Sequence, residues 1–577
     1  MLRKAILFGL LAGIFASPAA GAQQLLMPGV TYEKQLQFTR FGPQTMHILT
    51  APKPVGGLYG LKPVLSNGAA IGRERVTSMQ RRAEASATVA GVNGDLFTWA
   101  DGIPSSGLIQ DGVLRTTPHP RRSMLGVDVA GNLRVNRISM LGTWQGSGPR
   151  RPIQLVNRPP GPNGTALYTP SYGGTTPTGN GVFEAVLSPF PSATPNADLV
   201  GFVSENRRGG TPIPPGGAVL AARGTQAQRM AVEAVTADTV SVRLVLRPEW
   251  RDVPEALGGG PELIRQGRPI FRPAEDFGTY HLNRRHPRTA VGQRSDGRIL
   301  MLVVDGRRPG YSSGMTNFEL AQTMARLGVV TASALDAGGS STMAFGGQLL
   351  SRPSDTGGER LVSEALLVMY YGVYAPATEP SFSPNGDGAG ERQRLEYKIV
   401  KPSTVTATLA GPDGVARTID SGERKPGLYK FAFAGGTRSN RAGAAEPEGR
   451  YRWSITAVDA EGRRSTAERS FSLNNTLGFI SVQPSRMTVG RKRGGRLLIG
   501  FTLTRHARVS VTITSKTGQL LRVVRNFNAR AGKTALLWNG KYPNGKPVYP
   551  GTYAARVVAT NSVGRAELAR SFRVRRR

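Results

Sequence analysis

The chain of 577 residues contains no cysteine. That excludes disulfide cross-links, thiol catalysis and cysteine-ligated zinc or iron–sulfur centres. A chain of this length can bury enough apolar surface to hold together by packing, and its length predicts several domains. Histidine is scarce. The five residues, His47, His119, His281, His286 and His506, form no H-x-x-x-H pair, so a zinc-protease helix has no support. Beyond the first 22 residues there is no run of about 18 apolar residues, the length a spanning helix needs. Acidic residues almost vanish at the end: from Thr476 onward 21 Lys and Arg stand against one acid, Glu567. Aromatics do not interleave with these basic runs, which argues against a single-strand nucleic-acid platform. No pattern requires a metal or any other cofactor.

The start of the chain has the form of a secretory leader. Arg3 and Lys4 precede an apolar core from Ala5 to Phe15, and Ala20-Gly21-Ala22 fits a small-residue cleavage site. A mature chain beginning at Gln23 is expected, with a secreted or cell-envelope address. The formal net charge is +36. The basic end predicts a surface for anionic cell-envelope polymers, against the plainer reading of solvated surface charge.

The densest local signal runs from Arg288 to Phe345. Arg298–Val304 is a short apolar run closed by Asp305-Gly306, and Val329–Leu335 is a second, closed by Asp336. Between them Thr316-Asn317-Phe318-Glu319 has the capping-box pattern of a helix start, and Leu320, Met324 and Leu327 follow at helical spacing. A strand–helix–strand crossover turns both strands the same way, so Asp305 and Asp336 are expected at one edge of the sheet. Arg307 and Arg308 flank the first. Gly338, Gly339, Ser340 and Ser341 follow the second and could present amides and hydroxyls to an anion.

These residues resemble the phosphodiester glycosidase family, of N-acetylglucosamine-1-phosphodiester α-N-acetylglucosaminidase type. The similar segments are Gly91–Phe97 with Gly107–Gly112, Gly258–Pro261, Arg288–Gly292 leading into Val304–Arg307 and Pro309–Ser312, and Asp336–Ser341. They span roughly residues 45 to 372. Two departures stand out. Ala337 occupies a position where the family usually has Gly, and Asn93-Gly94-Asp95-Leu96-Phe97 stands for Asn-Gly-Gly-Phe-Phe. A positive φ at residue 337 would strain Ala.

The resemblance implies cleavage of a sugar from a phosphodiester at its anomeric carbon. A cation-like transition state calls for carboxylates, here Asp305 and Asp336. The phosphate calls for guanidinium forks, here Arg288 and Arg307. Glu319 lies near the pocket in the family, although the capping box already accounts for it. Asn93 and Asp95 would read sugar hydroxyls, or merely end a strand in an Asn-Gly turn. Ser341 as a nucleophile lacks a paired His. The second reading is a non-enzymatic, basic glycan-binding envelope protein or adhesin.

From Gly142 to Pro195 the chain is rich in Pro, Gly, Thr and Ser, which predicts long loops between short strands, with an inserted subdomain or active-site lid as the alternative. Tyr374–Pro380 looks like a linker. Behind it Leu395–Ile399 aligns with Ile499–Leu503 at an offset of 104, and Tyr451–Leu473 aligns with Tyr553–Val574. Period-two alternation in both copies predicts two immunoglobulin-like sandwiches resembling the flagellar hook-cap type. Ser383–Gly388 opens the first with either a rigid turn or a calcium loop. The expected organisation is a leader at 1–22, an α+β or mixed α/β catalytic domain at 23–375, and two all-β modules at 376–474 and 475–577.

Overall fold

The computed structural model describes residues 23–270, 274–434, 446–490, 495–516 and 518–576. The expected leader, Met1–Ala22, lies outside the described residues. The chain divides into a front unit ending at Tyr371 and a rear unit, Gly372–Arg577. No described helix is long and apolar enough to cross a membrane.

The expectation of an α+β or mixed α/β front domain is corrected. The described chain contains four α-helices, the longest of ten residues, and the front unit is built from two eight-stranded and two five-stranded sheets. Ile299–Val304 and Val329–Ala334 do run the same way, but they are not neighbours. Arg288–Arg294 lies between them and pairs antiparallel with both. One crossover unit is therefore embedded in an antiparallel sheet, and the local strand–helix–strand pattern does not extend to the domain.

That sheet runs, in order, Gln24–Met27, Val30–Thr39, Gly42–Ala51, Ile299–Val304, Arg288–Arg294, Val329–Ala334, Glu262–Arg265 and Arg268–Pro269. Helix Asn317–Arg326 covers one face. Its Leu320, Ala321 and Met324 pack on Leu300, Leu302, Val304, Ala290 and Ala332. The second sheet places Thr88–Asn93 between Met343–Phe345 and Glu364–Tyr370. Thr88–Asn93 and Glu364–Tyr370 are buried along their whole length, which fits their largely apolar character.

The stretch expected as loops between short strands, or alternatively as an inserted subdomain, is part of an inserted sheet. Eight strands between Ser139 and Arg247 form one sheet, whose Trp144, Leu187, Leu220 and Leu244 share a core with Ile109, Leu114, Met124 and Ala256 of a five-stranded sheet. Gly142, in the middle of strand Ser139–Gln145, lets the neighbouring strand approach closely, since a Cβ there would lie 2.4 Å from the Ile153 carbonyl.

In the rear unit, strands between Ser381 and Leu473 enclose one core around Tyr397, Trp453 and Phe471. Strands between Leu477 and Arg576 enclose a second around Phe501, Trp538 and Phe572. The repeat is visible in a shared device. Tyr451 donates to the Pro447 carbonyl at 2.8 Å and Tyr553 to the Tyr549 carbonyl at 2.7 Å, each four residues upstream. Such tyrosine-to-backbone corners are a feature of immunoglobulin-like sandwiches. Asn385 Oδ1 and Asp387 Oδ1 accept the amides of Asp387 and Ala389, and Asp387 Oδ2 accepts the Phe479 amide.

Candidate functional site

Asn93 ends its strand with a side chain that ties three segments together. Its Oδ1 accepts from Thr289 Oγ1 at 2.8 Å and from the Thr342 amide at 3.1 Å, and its Nδ2 donates to the Asp336 carbonyl at 2.9 Å. The residue is fully buried. It therefore holds the backbone of Asp336 in place, and the hydrogen-bonding capacity expected for a sugar hydroxyl is committed to the fold.

Asp336 is partly exposed at the end of Val329–Ala334. Its Oδ1 accepts the Ala337 amide at 2.8 Å. Burial pushes its carboxyl up to about 6, against the pull of the Ser340 hydroxyl, the Ala337 amide and the charges of Arg360 and Arg307. Ala337 itself has φ −110 and ψ −178, an extended conformation that any residue adopts. The positive φ falls one residue later, at Gly338 (φ +72), where a Cβ would meet Arg307 Nη2 at 2.9 Å. Gly thus stands where the guanidinium needs it, and Ala337 is unstrained.

Arg307 is exposed and has φ 57, a left-handed conformation that costs a side-chain-bearing residue about 1 kcal/mol or more. The 308–312 turn holds it there: the Arg308 amide donates to the Ser312 carbonyl at 3.2 Å, and Arg308 Nη2 to the Pro353 carbonyl at 2.8 Å. Arg307 Nη2 also donates to His286 Nδ1 at 3.1 Å. His286 can accept because burial, then the Arg288 and Arg307 charges, hold it down to about 4, so it is neutral at pH 7. Arg360 completes this side. It forks onto Asp355 at 2.8 and 3.1 Å, reaches Ser340 Oγ at 3.4 Å, and lies 5.1 Å from the ring centre of exposed Trp99.

The other expected residues are engaged elsewhere. Asp305 is buried and accepts from His47 Nε2 (2.9 Å), Tyr311 Oη (2.9 Å) and the Arg352 amide (3.0 Å). Tyr32 Oη in turn lies 2.8 Å from His47 Nδ1, so a chain of hydrogen bonds fixes Asp305 and the loops at 311 and 352. Burial first, and then the Asp305 charge, push Tyr32 and Tyr311 up to about 12, which keeps them as donors. Arg288 is buried and donates to the carbonyls of Met315, His281 and Arg284, a clamp on backbone. Glu319 caps its helix through the Thr316 amide at 3.0 Å and pairs with Arg285. Gly338 donates its amide to the Pro287 carbonyl at 2.9 Å. Gly339 is bare because a Cβ would collide with Arg360 and Asp355, while Ser341 keeps a buried hydroxyl with no partner among the described residues.

Asp95 is buried beside this cluster, and neither of its carboxylate oxygens has a hydrogen-bond partner among the described residues. Burial pushes it up to about 7. The Leu96 and Ser106 amides, near Asp95 but outside hydrogen-bond geometry, and the Arg122 charge pull it down, and Asp336 pushes further up. Two neighbours went unread in the sequence. Glu364 is wholly buried, and burial followed by the Asp95 charge raises it well above the usual carboxylate range. Arg158 comes from the inserted sheet and feels the charges of Asp95, Asp101 and Glu364. Glu364 carried a signal, as the acid opening the apolar strand EALLVMY. Arg158, in a Pro-Gly-rich turn, carried none. Among the described residues no three or more His, Asp or Glu are grouped to hold a metal ion.

Residues 193–369 match the phosphodiester glycosidase family model, and residues 487–562 match the FlgD Ig-like domain. A Bacillus subtilis (strain 168) protein, SPbeta prophage-derived uncharacterized protein YomE, is 34% identical over 158 residues, 26% of this chain and 23% of its own. N-acetylglucosamine-1-phosphodiester alpha-N-acetylglucosaminidase of Bos taurus is 41% identical over 68 residues, 12% of each chain. The chain thus spans less than a quarter of either curated relative. A crystal structure of a hypothetical protein from Synechocystis superposes with a TM-score of 0.51 at 25% identity, over 61% of this chain and 64% of that one. The chain therefore carries a phosphodiester glycosidase domain at residues 193–369 and a FlgD Ig-like domain at residues 487–562.

Proposed function

We propose that the front unit hydrolyses sugar-1-phosphodiesters, with Asp336 as the acting carboxylate and Arg307 and Arg360 as the phosphate grip. The observation that carries this reading is the placement of the Arg307 and Arg360 guanidiniums against Gly338, Gly339 and Ser340, directly after Asp336, within the stretch that matches the phosphodiester glycosidase family model. Water adds to C1 of the sugar as the bond from C1 to the phosphate oxygen breaks. The Asp336 carboxylate takes one water proton, and the phosphate monoester leaves with the bonding electron pair, its charge met by the guanidiniums. A carboxyl poised near 6 is ionised enough to act as a base near neutrality. Asp305 acts through Tyr311 and Arg352 as a positioning residue. The Bos taurus relative is named for a reaction of this class. The substrate belongs to cell-envelope or exopolysaccharide material, met outside the cytoplasmic membrane, and the basic rear unit docks the enzyme on anionic polymers there.

Incubation of the chain with a panel of sugar-1-phosphodiesters should release free sugar and a phosphate monoester. Asp336→Asn should slow release roughly 10²-fold or more, the scale of losing one charge aligned with a transition state. Arg307→Lys should weaken phosphodiesters more than plain aryl glycosides, because the lysine lacks the fork. Unchanged turnover in folded Asp336→Asn protein would remove the assignment.

A further inference from the structure

Asp95 and Glu364 lie at the ends of two paired strands, Thr88–Asn93 and Glu364–Tyr370. The Asp95 amide donates to Glu364 Oε1 at 3.1 Å. Glu364 Oε2 and both Asp95 oxygens are buried, with no partner among the described residues. The fold makes room for these carboxyls with bare backbone. A Cβ at Gly94 would sit 2.3 Å from Glu364 Cγ, and one at Gly258 would sit 2.2 Å from Asp95 Oδ2.

Arg158 faces the pair from the inserted sheet. It follows the edge strand Leu155–Val156, and Asn157 (φ 53) turns the chain there. The Asn157 side chain donates to the Arg115 carbonyl at 2.8 Å and accepts the Thr169 amide at 2.8 Å, which fixes the turn. Arg158 Nε and Nη2 are buried without a partner among the described residues, although the guanidinium senses both carboxyls. Buried donors of Arg158 and buried acceptors of Asp95 and Glu364 thus lie within electrostatic reach of one another, unpaired among the described residues.

The charges decide what fits between them. A cation would meet Arg158, and an anion offers acceptors but no donor for the unpaired carboxyl oxygens. A neutral group that both donates and accepts satisfies both sides, and adjacent sugar hydroxyls do this. Leaving such buried groups unpaired is costly, so a ligand that pairs them gains correspondingly. The charged neighbours are Arg122 and Asp336 for Asp95, and Asp101 for Arg158. Burial favours the protonated carboxyls, which can then donate as well as accept.

We propose that Asp95, Glu364 and Arg158 form a subsite that binds hydroxyl groups of the sugar whose C1 lies at Asp336. This rests on the phosphodiester glycosidase reading, and it makes the inserted sheet part of the binding site. The test is binding without turnover. Hexose 1-phosphates of gluco, galacto and manno form, their 2-acetamido derivatives, and monodeoxy versions of whichever binds would be titrated calorimetrically against the full chain. At least one monodeoxy analogue should bind about 10-fold or more weaker than its parent. In Asp95→Asn, and separately in Arg158→Gln, that analogue and its parent should bind equally, while the other deoxy analogues keep their ranking. Arg158 is only partly buried, so its substitution leaves a folded protein if the buried Asp95 does not tolerate change. Uniform weakening of parent and all analogues would show a merely structural role and overturn the proposal, as would absence of binding by every sugar phosphate. Turnover of phosphodiesters without selective coupling sinks the subsite alone. Selective coupling without any turnover supports the subsite and sinks the hydrolase.

Discussion

Single residues in this molecule divide by whether their polar atoms are already paired. Asn93, Asp305 and Glu319 have theirs engaged by backbone or neighbouring side chains, whereas both Asp95 oxygens, Glu364 Oε2 and Arg158 Nε and Nη2 have no partner among the described residues. The unpaired acids leave a mark on stability. Their folded-state values are raised, to about 7 for Asp95 and well above the usual range for Glu364. The folded state therefore holds these protons more tightly than the unfolded chain does. That contribution is fully present below the ordinary carboxylate value of about 4 and is lost as pH rises through about 7. Asp95→Asn cannot ionise and escapes its share of the loss. The gap in Tm between variant and wild type should widen in favour of the variant from pH 4 to pH 8, at roughly 2–4 °C per kcal/mol. A gap that stays constant across this range would show that Asp95 titrates normally. Residue types at Asp336 and Arg307 could be read from the chain, whereas pairing could not, since it depends on what the fold brings alongside.

Among the elements, helix Asn317–Arg326 is the one whose start was most visible. Its Ser/Thr-x-x-Glu pattern is realised as a reciprocal cap, with the Glu319 amide on Thr316 Oγ1 at 3.2 Å and the Thr316 amide on Glu319 Oε2 at 3.0 Å. Thr316→Ala should cost about 1 kcal/mol of stability in chemical denaturation. Turnover at saturating substrate should change little, because neither residue reaches Asp336. A large loss of turnover with stability intact would put Glu319 back among the acting carboxylates. The sheet around this helix was misjudged for a physical reason. A strand–helix–strand unit looks the same in sequence whether its two strands are neighbours or are separated by a third. Here Arg288–Arg294, which precedes the unit, fills the place between them. The inserted sheet was hidden differently. Its strands are short and broken by Gly and Pro, so the turn signals outweighed the alternation.

For the whole molecule, two units with separate cores set a catalytic reading beside a basic one. The last 102 residues carry 21 Lys and Arg with a single Glu567, which Arg556 and Arg565 pair. Retention of the full chain on an anionic wall polymer should fall steeply with salt, because small ions screen and replace such contacts. A front unit ending at Tyr371 should elute at much lower salt than the full chain. Equal retention of the two, or retention insensitive to salt, would remove the electrostatic docking role.

Local chemistry determined much of this protein. Alternation marked the strands of the rear modules, the offset of 104 marked their repetition, and Thr316–Glu319 marked the helix. A crossover turns two strands alike, so Asp305 and Asp336 could be placed at one sheet edge before any coordinates. Only the tertiary structure decided which acid is available there. Asp305 meets His47 across 258 positions and Asp95 meets Glu364 across 269. Contacts between such distant segments follow from how sheets stack and register, and no local spacing records them.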